Sequence, residues 1–329
     1  MRFGKRWGIL ALTLALTLAL TLAAGCGAAP REGDASRSGG SSAPAEDGAL
    51  RVVATDFPCY DFARAVCGDA AEVTMLLPPG TESHSYEPTP RDILEVQGCD
   101  LFFYVGGESD AWVDTILESL DAPVNSLRMV DCVELLDEET AKGMTAREEP
   151  GGVTEKDEHV WTSPANAAEI VRAVEAEMED LDGAHADEYA ANAENYVNQI
   201  ETLDRDFRTF FAAVQNKTLV FGDRFPLRYF AEEYGLTCYA AFPGCSTQTE
   251  PSAATVAFLT DTVKREGLST VYYIEFSNHL VADSIAEAAG AQTALFHSCH
   301  NVSRADLEAG ATYVSLMRGD LKTLKATMR

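Results

Sequence analysis

From residue 50 onward, apolar residues fall into short blocks separated by longer stretches of mixed polarity. The blocks at 51–55, 72–77 and 100–105 read as buried strands. The segments 56–66, 91–97 and 109–120 between and after them read as helices. The alternation returns late in the chain, with strands at 218–221, 236–241 and 270–275, another just before residue 297, and helices at 224–234, 252–266, 280–289 and 312–328. Strands alternating with helices predict a mostly parallel sheet with helices on both faces, and the pattern occurs twice. Between the two runs, Tyr189, Tyr196, Ile200, Leu203, Phe207, Phe211 and Val214 follow at intervals of 7, 4, 3, 4, 4 and 3, one face of a helix. No Gly or Pro interrupts 184–214, so this helix can run unbroken for about 45 Å. The expected fold is α/β: two lobes of mostly parallel sheet with flanking helices, 50–183 and 215–329, joined by one long rigid helix, 184–214. Open α/β sheets bind ligands beyond the carboxyl ends of their strands, so the crevice between the lobes is the expected site.

The first 25 residues have another character. Arg2, Lys5 and Arg6 precede an apolar run from Trp7 to Ala24 that only Thr13, Thr17 and Thr21 interrupt. A basic start, apolar middle and small residues at the end form an export signal. The run closes Leu22-Ala23-Ala24-Gly25-Cys26, which resembles a bacterial lipobox, whose cysteine receives lipid and becomes the first residue of the mature chain. An uncleaved anchor helix is the alternative, since the run approaches bilayer length. Residues 27–49 contain no Leu, Ile, Val or aromatic residue. We read 26–49 as a flexible tether with a reach of roughly 25 Å. The chain is thus expected outside the cytoplasm, lipid-anchored to the bacterial cell membrane.

Composition narrows the partners. With 25 Lys+Arg against 52 Asp+Glu the net charge is −27, which repels a phosphate backbone and an anionic lipid surface and is compatible with a cationic ligand. Besides Cys26 there are seven cysteines, Cys59, Cys67, Cys99, Cys132, Cys238, Cys245 and Cys299. Disulfides are permitted outside the cytoplasm, but an odd number leaves at least one unpaired. No CxxC or HExxH motif occurs, so the commonest structural-zinc and metalloprotease signatures are missing.

Six histidines carry the candidate chemistry. His84 lies in a Pro/Gly-rich loop past a strand end, His159 directly before a helix, and His297 and His300 together after a late strand. His185 and His279 open helices and read as solvated surface. Three His-bearing loops facing one crevice would suit zinc, which prefers imidazole in four-coordinate sites.

The segments Leu76-Leu77-Pro78-Pro79-Gly80-Thr81, His84-Ser85-Tyr86-Glu87-Pro88, His159-Val160-Trp161, Arg228-Tyr229-Phe230, Tyr234-Gly235-Leu236 and Thr249-Glu250-Pro251-Ser252, with Tyr313 and Met317, resemble the zinc/manganese ABC-transporter substrate-binding lipoproteins. They follow the family's order across residues 50–329. The resemblance implies two lobes about a rigid helix, one divalent cation in the cleft, delivery to the permease and ATPase of an ABC importer, and no catalysis. It makes His84 the first ligand and His159 the second. The third position, normally His or Glu before the helix of the second lobe, holds no histidine here. Asp223 is the nearby acceptor, either as ligand or as N-cap of a helix from Arg224. The fourth position, an acid in the family, falls in the loop with His297 and His300. We take His297 as the ligand because it follows the strand directly, with His300 as the alternative and Glu275 as an acid that orients an imidazole or ligates.

Cys245 and Cys299 depart from the family pattern: a disulfide pinning the His297 loop is expected, with thiolate ligation or two separate thiols as alternatives. The family's His-rich loop is replaced by 137–158, which carries eight acids, three bases and no histidine before His159. Imidazoles and cysteine favour Zn2+ over Mn2+, which leans toward carboxylates. The expected function is therefore an extracytoplasmic receptor for Zn2+, or Mn2+. The alternatives are a zinc-dependent hydrolase with Glu275 or Asp223 as base, or a receptor for a chelated metal or haem.

Overall fold

A computed structural model describes residues 49–120, 122–138, 155–246 and 250–328. The export signal, Cys26 and all but the last residue of the tether fall outside the described residues, as does 139–154 of the acidic excursion. Two four-stranded sheets form the frame, each wholly parallel. The first has the order β2-β1-β3-β4, from β1 (Leu50–Ala54), β2 (Ala71–Met75), β3 (Leu101–Tyr104) and β4 (Ser126–Arg128). Its connections are α1 (Phe57–Cys67), α2 (Pro90–Gln97) and α3 (Ala111–Ser119). The polar strand β4 was not among the expected elements: three residues, two of them exposed, give no apolar signal.

α4 (Pro164–Leu181) and α5 (Ala186–Ala213) follow, and α5 is the long helix expected from the apolar spacing. All of its expected apolar positions from Tyr189 to Phe211 are buried. At 28 residues it runs about 42 Å.

The second sheet has the order β6-β5-β7-β8, from β5 (Thr218–Phe225), β6 (Thr237–Pro243), β7 (Thr270–Tyr273) and β8 (Gln292–Leu295). α6 (Arg228–Tyr234), α7 (Ala253–Glu266) and α8 (Leu280–Ala289) connect them, and α9 (Arg304–Glu308) and α10 (Tyr313–Thr327) close the fold. Asp223 is thus not a helix N-cap. β5 continues through a register shift between Phe221 and Arg224, and α6 begins only at Arg228.

One contiguous apolar cluster joins the two sheets, running from Val52 and Phe103 through Tyr189, Phe207 and Phe211 to Phe221, Phe296 and Tyr313. The polar anchor within it is Asp61 of α1. It accepts hydrogen bonds from the hydroxyl of Tyr196 on α5, the backbone N–H of Tyr313 on α10 at 2.8 Å, and the Arg64 guanidinium at 2.7 Å. The chain's last long helix is therefore pinned to its first. This shared core resists hinge motion, because moving one lobe would expose apolar surface on both. Among the described residues no helix is long and apolar enough to cross a membrane.

Candidate metal centre

His84 sits in the single turn Ser83–Ser85 beyond β2, where the Glu82 carboxylate accepts its backbone N–H. His159 precedes the turn Val160–Thr162 that leads into α4, and is fully buried. Its backbone N–H donates to Asp157 Oδ1 at 2.9 Å, and its Nδ1 lies 3.1 Å from the same oxygen. Tyr229 of α6 fixes this loop by donating to Asp157 O at 2.8 Å. The other ring nitrogen of His159, Nε2, has no hydrogen-bond partner among the described residues. A buried polar atom without a partner costs about 1–3 kcal/mol, so this atom marks a place where a ligand would be favourable.

The loops converge. His84, Glu158, His159 and Cys245 each offer one donor atom, and the four atoms lie within 4.8 Å of one another. Close backbone approach makes this possible. A Cβ on Gly244 would stand 2.9 Å from His159 Cε1, and one on Gly107 would overlap the Glu158 carboxylate.

The loop after β8 holds His297 and His300, and it separates them. Cys299 takes a left-handed φ of 61°, kinking the chain between His297 and His300. The ring of His300 packs edge-on against His84 at 5.0 Å and His159 at 5.5 Å, and lies 4.9 Å from Trp161. Its Nδ1 faces Ser83 Oγ at 3.2 Å and its Nε2 faces Asp56 at 3.5 Å. His297, the first choice from sequence, instead receives the Cys299 N–H on its Nδ1 at 2.9 Å. That nitrogen is spent on its own loop.

Asp223 and Glu275 are likewise engaged. Asp223 accepts from Arg224 N at 2.8 Å and Ile274 N at 3.3 Å, tying the ends of β5 and β7. Glu275 accepts from Ser298 N and Oγ at 2.7 and 2.6 Å and from His300 N at 3.1 Å. It orders the loop backbone, with His297 Nδ1 3.6 Å away. The two acids a hydrolase would use as base are thus occupied by backbone donors. His185 and His279 are exposed and pair with Asp182 and Asp283.

The expected Cys245–Cys299 disulfide is absent: both thiols are free. Cys299 is fully buried in the shared core, whereas Cys245 belongs to the donor group, so the two face different surroundings.

Electrostatics divides the imidazoles. Burial, His159 and the Arg224 guanidinium hold His84 well below the ordinary histidine value. Burial, His84, His159 and Arg224 do the same for His300. Burial alone would lower His159, but Asp157 and the neighbouring Glu158 and Glu138 outweigh it and raise the ring. Burial, with Glu158, Asp157 and Glu138, pushes the Cys245 thiol well above its usual range. Arg224, paired with Glu82 across the crevice at 2.8 Å, places a guanidinium beside the imidazoles of His84 and His300.

Glu158 as a donor and Arg224 as a neighbouring charge were not singled out from sequence, whereas Cys245 was, with thiolate ligation as an alternative to the disulfide. The adjacency of Glu158 to His159 was a usable signal. No local signal places Cys245 beside His84, Glu158 and His159, because that proximity arises from β6 running alongside β5.

The family model described as zinc-uptake complex component A, periplasmic, matches residues 52–327. The zinc-binding lipoprotein AdcA of Streptococcus pneumoniae (strain ATCC BAA-255 / R6) is 31% identical over 283 residues, 85% of this chain and 56% of that protein. The chain thus spans about half the length of that relative. The high-affinity zinc uptake system protein ZnuA of Bacillus subtilis (strain 168) is 29% identical over 309 residues, 93% of each chain. Among solved structures, the Zn(II)-bound ZnuA-like domain of Streptococcus pneumoniae AdcA is similar at a TM-score of 0.71 and 30% identity, covering 85% of this chain and 99% of that one.

Proposed function

Because the chain belongs to the zinc-uptake complex component A family, we propose that it is an extracytoplasmic receptor that captures Zn2+ between its lobes and delivers it to the permease and ATPase of an ABC importer. It acts as a binding protein and not as an enzyme. The lobes are 50–183 and 215–329, and α5 holds them about the crevice. Lipid on Cys26 anchors the protein to the bacterial cell membrane, and 26–49 is the tether.

The observation that carries this reading is the buried, partnerless Nε2 of His159 within a group of close donors. The cation is held by His84, His159 and the Glu158 carboxylate. His300, the alternative to His297 in the sequence reading, packs against these rings, while Asp223 and Glu275 support the loops. Neutral imidazoles are the ligating form, and burial keeps His84 neutral at physiological pH. Nitrogen donors favour zinc over manganese, which suits carboxylate and water. Zinc-binding relatives support the same choice.

Metal competition on the chelator-stripped full chain, with zinc and manganese offered together, tests the reading. One equivalent of zinc retained over manganese is the expected result. Manganese preference overturns the zinc assignment, and no bound metal overturns the receptor.

A further inference from the structure

We propose that Cys245 is a fourth donor to the captured cation, binding it as thiolate beside His84, His159 and Glu158, and that this sulfur makes the receptor select thiophilic dications such as zinc and cadmium over manganese. The inference rests on the receptor reading above and adds to it the one donor that the second lobe supplies.

Two independent observations converge on it. The Cys245 sulfur belongs to the group of four donor atoms that lie within 4.8 Å of one another. Separately, the fully buried His159 presents an Nε2 with no partner among the described residues. Tetrahedral zinc at ordinary Zn–N and Zn–S lengths sets its donors roughly 3.3–3.8 Å apart. Donors that all lie within 4.8 Å of one another, with His84 Nδ1 and Glu158 Oε1 at 3.7 Å, are on the scale of such a site. Gly244, immediately before Cys245, allows that approach because its backbone already lies against the His159 ring.

The chemistry is consistent with the donor set. Burial and the acids around Cys245, among them Glu158, Asp157 and Glu138, disfavour a bare thiolate, and a bound dication reverses that local balance. Loading forms the metal–sulfur bond, breaks the S–H bond and releases the proton to solvent. Soft sulfur adds little to manganese binding but much to zinc or cadmium. Because Cys245 follows β6 while the other three donors belong to the first lobe, the ion becomes a cross-link between lobes.

Cobalt(II) is the probe, added to the chelator-stripped full chain as wild type, Cys245→Ser and the control Cys99→Ser. Wild type and the control are expected to show a near-ultraviolet sulfur-to-cobalt charge-transfer band. Cys245→Ser should keep visible ligand-field bands, lose the charge-transfer band, and bind zinc at least about 100-fold more weakly, beyond the range typical of losing a group behind a ligand. Its manganese affinity should scarcely change. Cobalt bound by wild type without the band, or a band that survives Cys245→Ser, overturns the thiolate and leaves the receptor standing. No cobalt bound by wild type overturns both. If Cys245→Ser does not fold, zinc protection of the wild-type thiols from alkylation decides: Cys245 should be shielded while Cys99 and Cys132 are not, and equal labelling of Cys245 with and without zinc overturns the proposal.

Discussion

Asp157 Oδ1 accepts the backbone N–H of His159 at 2.9 Å and lies 3.1 Å from Nδ1 of the same ring. One carboxylate thus sets both the position of the loop and the orientation of its imidazole. A proton shared on Nδ1 leaves the Nε2 lone pair bare for a cation.

Asp157→Asn should therefore lower zinc affinity by about 10–100-fold, the usual effect of losing the carboxylate behind a metal-bound imidazole. Fold and thermal midpoint should change little, since the amide oxygen still accepts the backbone N–H. Competition titration against a chelator of known strength measures the effect, and unchanged affinity would remove Asp157 from the orienting role.

Gly244→Ala tests the close approach. The new Cβ would meet His159 Cε1 at 2.9 Å and Phe225 O at 3.0 Å, tighter than real side chains allow. Overpacking of this kind costs about 1–3 kcal/mol, and the ring must turn or the loop must lift. Zinc affinity should fall by at least about tenfold, a loss of roughly 1.4 kcal/mol in binding. Wild-type affinity in this variant would show that the turn has slack.

Much of this architecture was legible because periodicity is a local property. The apolar face of α5 and the strand–helix alternation survive in sequence as spacing, so both parallel sheets could be anticipated. β4 could not, because a short polar strand carries no such signal. The site divides in the same way. His84 and His159 are set by short loops next to strong motifs, whereas the choice between His297 and His300 depends on one left-handed residue, Cys299. Nothing in the run Phe296-His297-Ser298-Cys299-His300 indicates that kink. Asp223 misled because Asp before a helix-like segment suggests a cap, while the structure extends β5 past it.

Asp110 predicts a pH dependence. Burial, opposed by N–H groups of Gly106 and Val105 and reinforced by Glu158, raises its carboxyl from 3.8 to about 7. Below the unfolded value both states are protonated and the group contributes nothing. As pH rises toward about 7 the unfolded state has already released its proton while the folded state keeps it, so stability falls across that window. Above it, the full cost of a buried charge is present. Asp110→Asn removes this slope: in metal-free protein the variant should melt higher than wild type at pH 8 and no higher near pH 4. Parallel melting curves across that range check it, and a gap that does not grow with pH refutes it.

Arg224 and Glu82 make opposed contributions that one variant separates. Their ion pair crosses the crevice at 2.8 Å, with the side chains 15% and 35% exposed, so as a clasp it is worth about 1 kcal/mol or less. The guanidinium also sets positive charge beside His84 and His300, which repels a dication. The second effect should win, because a doubly charged ion feels the field of Arg224 twice over. Arg224→Gln should tighten zinc binding several-fold and lower the melting temperature only slightly. Weaker binding would instead identify the pair as the element that holds the loops in place.

Zinc should also stabilise the fold, since a ligand that binds only the native state adds about 2.7 kcal/mol at a hundred times its dissociation constant. For a chain of this size that raises the melting temperature by roughly 5–10 °C. Chelation should reverse the shift. His159→Ala should abolish it, because it removes a fully buried ring that presents its free nitrogen to the donor group. His185→Ala is the matched control: its ring is half exposed and, among the described residues, pairs with Asp182 before α5 and lies near the Tyr189 ring in the first turn of α5, so its zinc shift should equal that of wild type. His159→Ala also leaves a cavity in the core, so the measurement that matters is the difference between melts with and without zinc, not the absolute temperature. A full zinc shift in His159→Ala would move the cation out of this crevice altogether.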